Sequence, residues 1–258
     1  MKAKKSLGQN FLKNDTIINE IVSLFNATEK DLILEIGPGR GALTKKLIDL
    51  PSNLICIEID RDMHMFLDKY ESNKCHIIYE DILNIDLNKL LASYEFNNLY
   101  IVGNLPYYIT SPIITKIIDS KINALEMAFM VQNEVADRFC SLPKHREYGY
   151  ITLFINYHYN VSKEIFVSKE NFNPIPKVDS AVIKLVKRNN NYTIDDEKYF
   201  QFLKDAFKFK RKTLKNNLQG YDFNRVLPIL EGNGLSVNAR PEEISEEVFI
   251  KIFNSLNC

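Results

Sequence analysis

Between residues 32 and 131 five short apolar runs alternate with stretches of helical period, and this alternation constrains the fold more than any other feature of the chain. The runs fall at 32–36, 54–59, 76–79, 99–102 and 127–131, with helical patterns such as 42–50 and 63–70 between them. Runs of this kind belong to strands covered on both faces, the condition of a parallel sheet flanked by crossover helices. Such sheets bind ligands beyond the carboxyl ends of their strands. The residues that follow each run are therefore where chemistry is to be sought.

The first run leads into Glu35-Ile36-Gly37-Pro38-Gly39-Arg40-Gly41. Glycines let the backbone turn sharply and approach a ligand, and the helix start supplies free N–H donors. A dinucleotide fingerprint is excluded, because Pro38 lacks an amide and Glu35 would repel a pyrophosphate. Glu35, Gly37 and Gly39 suit a cationic or zwitterionic ligand; a Gly-rich turn with no ligand is the alternative. The second run ends Ile57-Glu58-Ile59-Asp60. A carboxylate there, about 20 residues past the glycines, can accept bonds from both hydroxyls of a ribose. Glu58, with Ile59 beside it, fits that place better than Asp60, which could equally cap a helix starting at Arg61. The third run leads to Asp81 and Ile82. Asp81 either accepts from an adenine amine or caps a helix. In order along the sheet edge, these residues describe an adenosine pocket without a phosphate site.

After the fourth run and Gly103 stands Asn104-Leu105-Pro106-Tyr107. Pro106 fixes its own φ and holds Leu105 extended, so the chain leaves the strand stiffly. The Asn104 side-chain oxygen and the Leu105 carbonyl can then accept both hydrogens of an exocyclic amine, while Tyr107 stacks on the ring that carries it. An Asn-capped turn before a helix near Ser111 is the plainer reading. Beside an adenosine pocket lacking a phosphate site, the amine-holding reading points to S-adenosylmethionine and methylation of a nucleobase amine. A target base must leave its stack to reach such a pocket. Phe172, at the head of Phe172-Asn173-Pro174-Ile175-Pro176, is either a buried staple or a second stacking ring.

Composition sets outer limits. Lys+Arg and Asp+Glu are equal at 33 each, so an RNA-binding surface must come from local clustering. The apolar runs are far shorter than a membrane span requires, and no apolar segment follows the basic start, Met1 to Lys5, as a secretory signal would. Cys56, Cys75, Cys140 and Cys258 form no CxxC pair and read as reduced thiols of a cytoplasmic protein. His64, His76, His145 and His158 lack ligand spacing, so no metal site is expected.

The first dozen residues read as an extended arm, followed by a helix capped by Asn14 or Asp15. A helix is expected over 133–139, and 148–159 leans to helix. Antiparallel strands at 165–167 and 180–187 finish the sheet. The polar run Arg188-Asn189-Asn190-Asn191 marks a boundary, giving domains 1–188 and 189–258. Helices are expected beyond it over 198–217, 223–231 and 245–256. On the first of these, Lys204, Lys208, Arg211 and Lys215 form a basic stripe with Lys210 and Lys212 beside it, a surface for RNA phosphates or simply a solvated face.

The chain resembles the KsgA-type small-subunit rRNA adenine dimethyltransferases. The resemblance rests on Ser6–Leu12, Leu34–Thr44, Asn104–Tyr107, Met130–Ala136, Phe172–Ser180 and Ala206–Leu214, in family order along nearly the whole chain. It implies an α/β fold: a Rossmann-like S-adenosylmethionine methyltransferase domain with a small C-terminal all-helical domain that meets rRNA. It implies cofactor contacts from Gln9, Asn10 and Leu12 of the arm, and from Gly37, Glu58, Asp81 and Asn104. It also implies dimethylation of two adjacent adenosines near the 3′ end of small-subunit rRNA by a monomer acting on the assembling subunit. The sister Erm group shares the first domain and the Asn-Leu/Ile-Pro-Tyr motif. Lys177-Val178-Asp179-Ser180-Ala181-Val182 and the basic segment 207–214 weigh against that group. Two other readings stay open at this point: an RNA-binding assembly factor with a dispensable methyl site, and a DNA adenine methyltransferase.

Overall fold

The computed structural model describes residues 3–4, 7–189 and 192–256; Lys2, Lys5, Ser6, Asn190, Asn191 and Cys258 lie outside them. In chain order the elements begin with β1 (Phe11–Leu12), α1 (Asp15–Val22), β2 (Leu32–Ile36), α2 (Thr44–Leu47), β3 (Asn53–Ile57) and α3 (His64–Leu67). There follow β4 (Cys75–Ile78), α4 (Leu87–Leu91), β5 (Leu99–Asn104), α5 (Thr110–Asp119), β6 (Ala124–Gln132), α6 (Asn133–Phe139) and α7 (Tyr150–His158). The rest are β7 (Tyr159–Val167), β8 (Phe172–Asn173), β9 (Ser180–Lys187), α8 (Asp196–Ala206), α9 (Leu214–Asn217), α10 (Phe223–Gly232) and α11 (Glu246–Leu256). The fold is α/β, with a mixed seven-stranded sheet and helices α8–α11 after it.

The chain divides into two compact units, Met1–Ala136 with Tyr159–Lys187, and Asp137–His158 with Arg188–Cys258. One break between the units falls between Lys187 and Arg188. Residues 137–158, by contrast, group with the tail and not with the sheet to which the sequence reading assigned them. The reason is the apolar surface of α7, whose Tyr157 and Phe154 rings pack on Tyr199 and Phe200 of α8.

In the first unit the sheet order is β4-β3-β2-β5-β6-β9-β7. The strands from β4 to β6 are parallel, while β9 runs antiparallel to both β6 and β7. Residues of period two send Ile33, Leu54, Cys56, Tyr100, Val102 and Ala128 to one face, where Ile17, Ile18 and Ile21 of α1 cover them. Asn14 starts that helix, its side chain accepting from the Thr16 and Ile17 amides. Each apolar side chain buried in this way contributes roughly 1.5–3 kcal/mol. A second, two-stranded sheet pairs the arm with the later loop, Phe11 opposite Asn173 and Leu12 opposite Phe172.

The second unit is held by an aromatic cluster in which Tyr199, Phe202, Phe249 and Phe253 are buried. Its helices differ from expectation at one point. The helix expected over 198–217 stops at Ala206 and resumes at Leu214. The Asn217 side chain causes the break: it accepts from the Phe209 amide and donates toward the carbonyls of Phe209, Lys212 and Thr213. Thr213 then caps the new helix through the Asn216 amide. The basic residues thus occupy a loop and two helix ends, not one continuous stripe. No helix among the described residues is long and apolar enough to cross a membrane.

Candidate active site

Strands β2, β3 and β5 end level with one another, Ile36 pairing with both Ile57 and Gly103. Their carboxyl ends therefore present the Gly loop, Glu58 and Asn104 at one edge. Gly103 is what permits the register there: a Cβ would lie 2.5 Å from the Ile36 carbonyl oxygen. The pocket at this edge is bordered by residues 7–12 of the arm, the loop from Gly37 to Leu43, Glu35, Glu58, Ile59, and Asn104 to Tyr107.

Glu58 is buried, and both its oxygens meet backbone: Oε2 accepts from Gly39 N at 2.9 Å and Oε1 from Asp60 N at 2.8 Å. Burial pushes its pKa up, against the pull of those two N–H groups. Each oxygen keeps a further lone pair for a ligand. Gly39 sits at φ +56, and a Cβ on it would press the Phe11 ring at 3.0 Å. That ring in turn carries the Arg40 guanidinium, 4.4 Å from its centroid. Glu35 lies deeper, accepting from Thr44 Oγ1 at 2.7 Å, with Cys56 Sγ at 3.5 Å. Burial pushes its pKa up to about 7, with Thr44 and Cys56 opposing.

The arm is tied across this edge. Gln9 Nε2 donates to Asp60 Oδ2 at 2.7 Å, and Lys4 bridges Asp60 and Asp62. Burial works against the Asp60 charge, yet the bonds from Lys4, Gln9 and the Asp62 amide hold its pKa below the usual carboxylate range. Asn104 Nδ2 donates to the Asn10 carbonyl at 2.8 Å, and the exposed Tyr108 ring rests against Gly8. The Leu105 amide is fixed by the Met130 carbonyl at 3.1 Å. Tyr107 is half-buried, its hydroxyl 2.6 Å from the fully buried Ser180 Oγ, and burial raises its pKa.

The structure brings together Gln9, Asn10, Leu12, Glu35, Gly37, Gly39, Glu58, Ile59 and Asn104 to Tyr107, as the sequence grouped them. Three candidates stand elsewhere. Phe172 is fully buried, opposite Leu12, and belongs to the core, so its ring offers no stacking face. Asp81 is not among the residues bordering the pocket; its Oδ1 accepts from the Leu83 amide within a turn, and no helix starts there. Ile82 is buried and likewise outside the lining. Thr44 and Ser180 support the site without being singled out by the sequence reading, while Asp60, weighed there for the ribose and as a cap at Arg61, accepts from the Asp62 amide and from Gln9. Ser180, adjoining the Pro-rich loop, is the one with a usable signal, as the polar residue ahead of the apolar run 181–183.

Residues 1–258 match the ribosomal RNA adenine dimethylase family. The chain belongs to that family. It is a methyltransferase that uses S-adenosylmethionine, as that family does. It is 40% identical to the ribosomal RNA small subunit methyltransferase A of Mycoplasma capricolum subsp. capricolum, across 98% of this chain and 97% of that one. It is 42% identical to the protein of the same name from Fusobacterium nucleatum subsp. nucleatum, across 97% and 96%. The crystal structure of a dimethyladenosine transferase from Plasmodium falciparum superposes with a TM-score of 0.80 at 26% identity, covering 96% of this chain and 97% of that one. The donor set fits the family's cofactor: carboxylates at Glu58 and Glu35, no phosphate cradle, and amide groups from the arm.

Proposed function

We propose that the chain dimethylates the exocyclic amines of two adjacent adenosines near the 3′ end of small-subunit rRNA, on the assembling small subunit. The observation that carries this reading is the Asn104 amide. Its NH2 group is held by the Asn10 carbonyl, so the group left to offer a substrate is the oxygen, an acceptor. Asn104 Oδ1 and the Leu105 carbonyl then accept the two hydrogens of an adenine amine. That nitrogen is a poor nucleophile because its lone pair is shared with the ring; two acceptors favour a pyramidal geometry that localises the pair. Tyr107 receives the ring, and its bond to Ser180 anchors the hydroxyl end of the phenol.

The cofactor's place follows from the same edge of the sheet. Glu58 accepts from the ribose hydroxyls, Glu35 and the Gly37–Gly39 turn face the amino-acid end, and Gln9, Asn10 and Leu12 close the arm over it. Bound there, S-adenosylmethionine supplies an electrophilic methyl on a sulfonium. Positioning and electrostatics provide most of the rate. Lys204, Lys208, Lys210, Arg211, Lys212 and Lys215 contact RNA phosphates in this reading. The two bacterial relatives, matched end to end and named for the small subunit, support that substrate over large-subunit rRNA.

The test is transfer of labelled methyl from S-adenosylmethionine to unmethylated small subunits, with large-subunit rRNA in parallel. Dimethyladenosine in the small-subunit 3′ fragment is the expected product. Label confined to large-subunit RNA would replace the substrate, and no label with RNA still bound would replace the enzyme by a binding protein.

A further inference from the structure

Four of the seven residues linking α8 to α9 are basic: Lys208, Lys210, Arg211 and Lys212. Among them stands Phe209, 51% exposed. Its neighbour Phe207 turns inward, packing against Phe249 at 5.6 Å between ring centroids. Two aromatic residues two positions apart thus serve opposite sides of the loop. The outward one is not loosely held, since the buried Asn217 side chain bonds both the amide and the carbonyl of Phe209. Beside its ring opens a cleft of about 430 Å³ bordered by Phe209, Lys212, Asn216 and Gln219.

Each part of this arrangement suits one kind of occupant. Four like charges on seven residues repel one another and call for a polyanion. A flat exposed ring in their midst offers what phosphates cannot use, a stacking face for a base. Asn216 and Gln219 carry both donors and acceptors, the equipment that meets a base edge. A paired base hides its faces in the helix stack, so the occupant must be unpaired.

We propose that this cleft binds one unpaired nucleotide of the RNA, its base stacked on Phe209, its edge met by Asn216 and Gln219, and its phosphate by Lys212. The site rests on the reading of the chain as an RNA methyltransferase. It goes further by naming a single-stranded segment as what the helical unit grips.

The chain contains no Trp, so Phe209→Trp introduces its only indole at the proposed site. A single-stranded oligoadenylate and unmethylated small subunits should both quench that fluorescence, whereas a fully paired duplex of equal length should not. Phe209→Ala should raise the Kd for the single strand about tenfold or more with an unchanged salt slope. Its exposure predicts an unaltered Tm. A silent indole, an unchanged Kd, or weaker binding with a shallower salt slope would each overturn the stacking site. Methyl transfer by the wild-type protein, run in parallel, separates the two readings. Transfer with a silent indole removes the nucleotide site and leaves the enzyme; quenching without transfer does the reverse.

Discussion

At the scale of the residue, Asn104 and two carboxylates decide what the pocket does. Asn104→Ala removes an acceptor that a transferring amine needs, so kcat for methyl transfer should fall by at least about a hundredfold while RNA binding is retained; a transfer assay and a filter-binding assay on one preparation check both. Glu58→Gln replaces one acceptor oxygen by an NH2 that cannot accept from Gly39 or Asp60 amides or from a ribose. It should weaken cofactor binding by about 1–3 kcal/mol in calorimetry. Glu35 bears on pH. Its folded pKa of about 7 lies above its unfolded value, so the native state binds the proton more tightly. The stability this gives is complete below the unfolded carboxylate pKa and is lost as pH rises through about 7. Glu35→Gln should remove a loss on the order of 3 kcal/mol between about pH 4.5 and 7.5, seen as a flatter difference between urea midpoints. Asp60 runs the other way, its stability lost as pH falls through its depressed pKa.

At the scale of the element, legibility followed the origin of each signal. Strands β2 and β5 could be read because strands covered on both faces are apolar without interruption, and their ends carry Glu35 and Asn104. The break between α8 and α9 could not. Leu203, Phe207, Leu214 and Leu218 keep a helical period straight through it, while the cause is one side chain, Asn217, bonding several residues back. The anchoring of the arm was hidden for a related reason, since the Gln9–Asp60 bond spans 51 positions and leaves no local pattern. Phe172 shows the limit of a motif. Its place in the Pro-rich segment was evident, but only the pairing with Leu12 determines that the ring faces the core. Asn217→Ala should leave the Phe209 amide without its acceptor and lower stability by about 1–3 kcal/mol in a urea titration.

At the scale of the whole molecule, equal numbers of positive and negative residues leave no net field to draw RNA in. Affinity must then come from where the cations are gathered, and residues 208–212 with Lys215 place five of the 33 within eight positions. Changing Lys208, Arg211 and Lys215 together to Gln should reduce the slope of log K against log salt by about three if each meets a phosphate. Fluorescence anisotropy across a salt series reads that slope; an unaltered value would return these residues to a solvated face.

The chain leaves the sheet after β6, builds α7 among the helices, and returns to supply β7 and β9. No single cut therefore releases either unit intact. A fragment ending at residue 187 would keep α7 but strip the Tyr157 and Phe154 rings of Tyr199 and Phe200, exposing an adhesive aromatic surface. Grafting the helical unit of one relative onto another would require two exchanged segments, 137–158 together with the tail. Inheritance meets the same condition: recombination at one crossover point mismatches α7 with its partners, so the two segments are expected to change in concert.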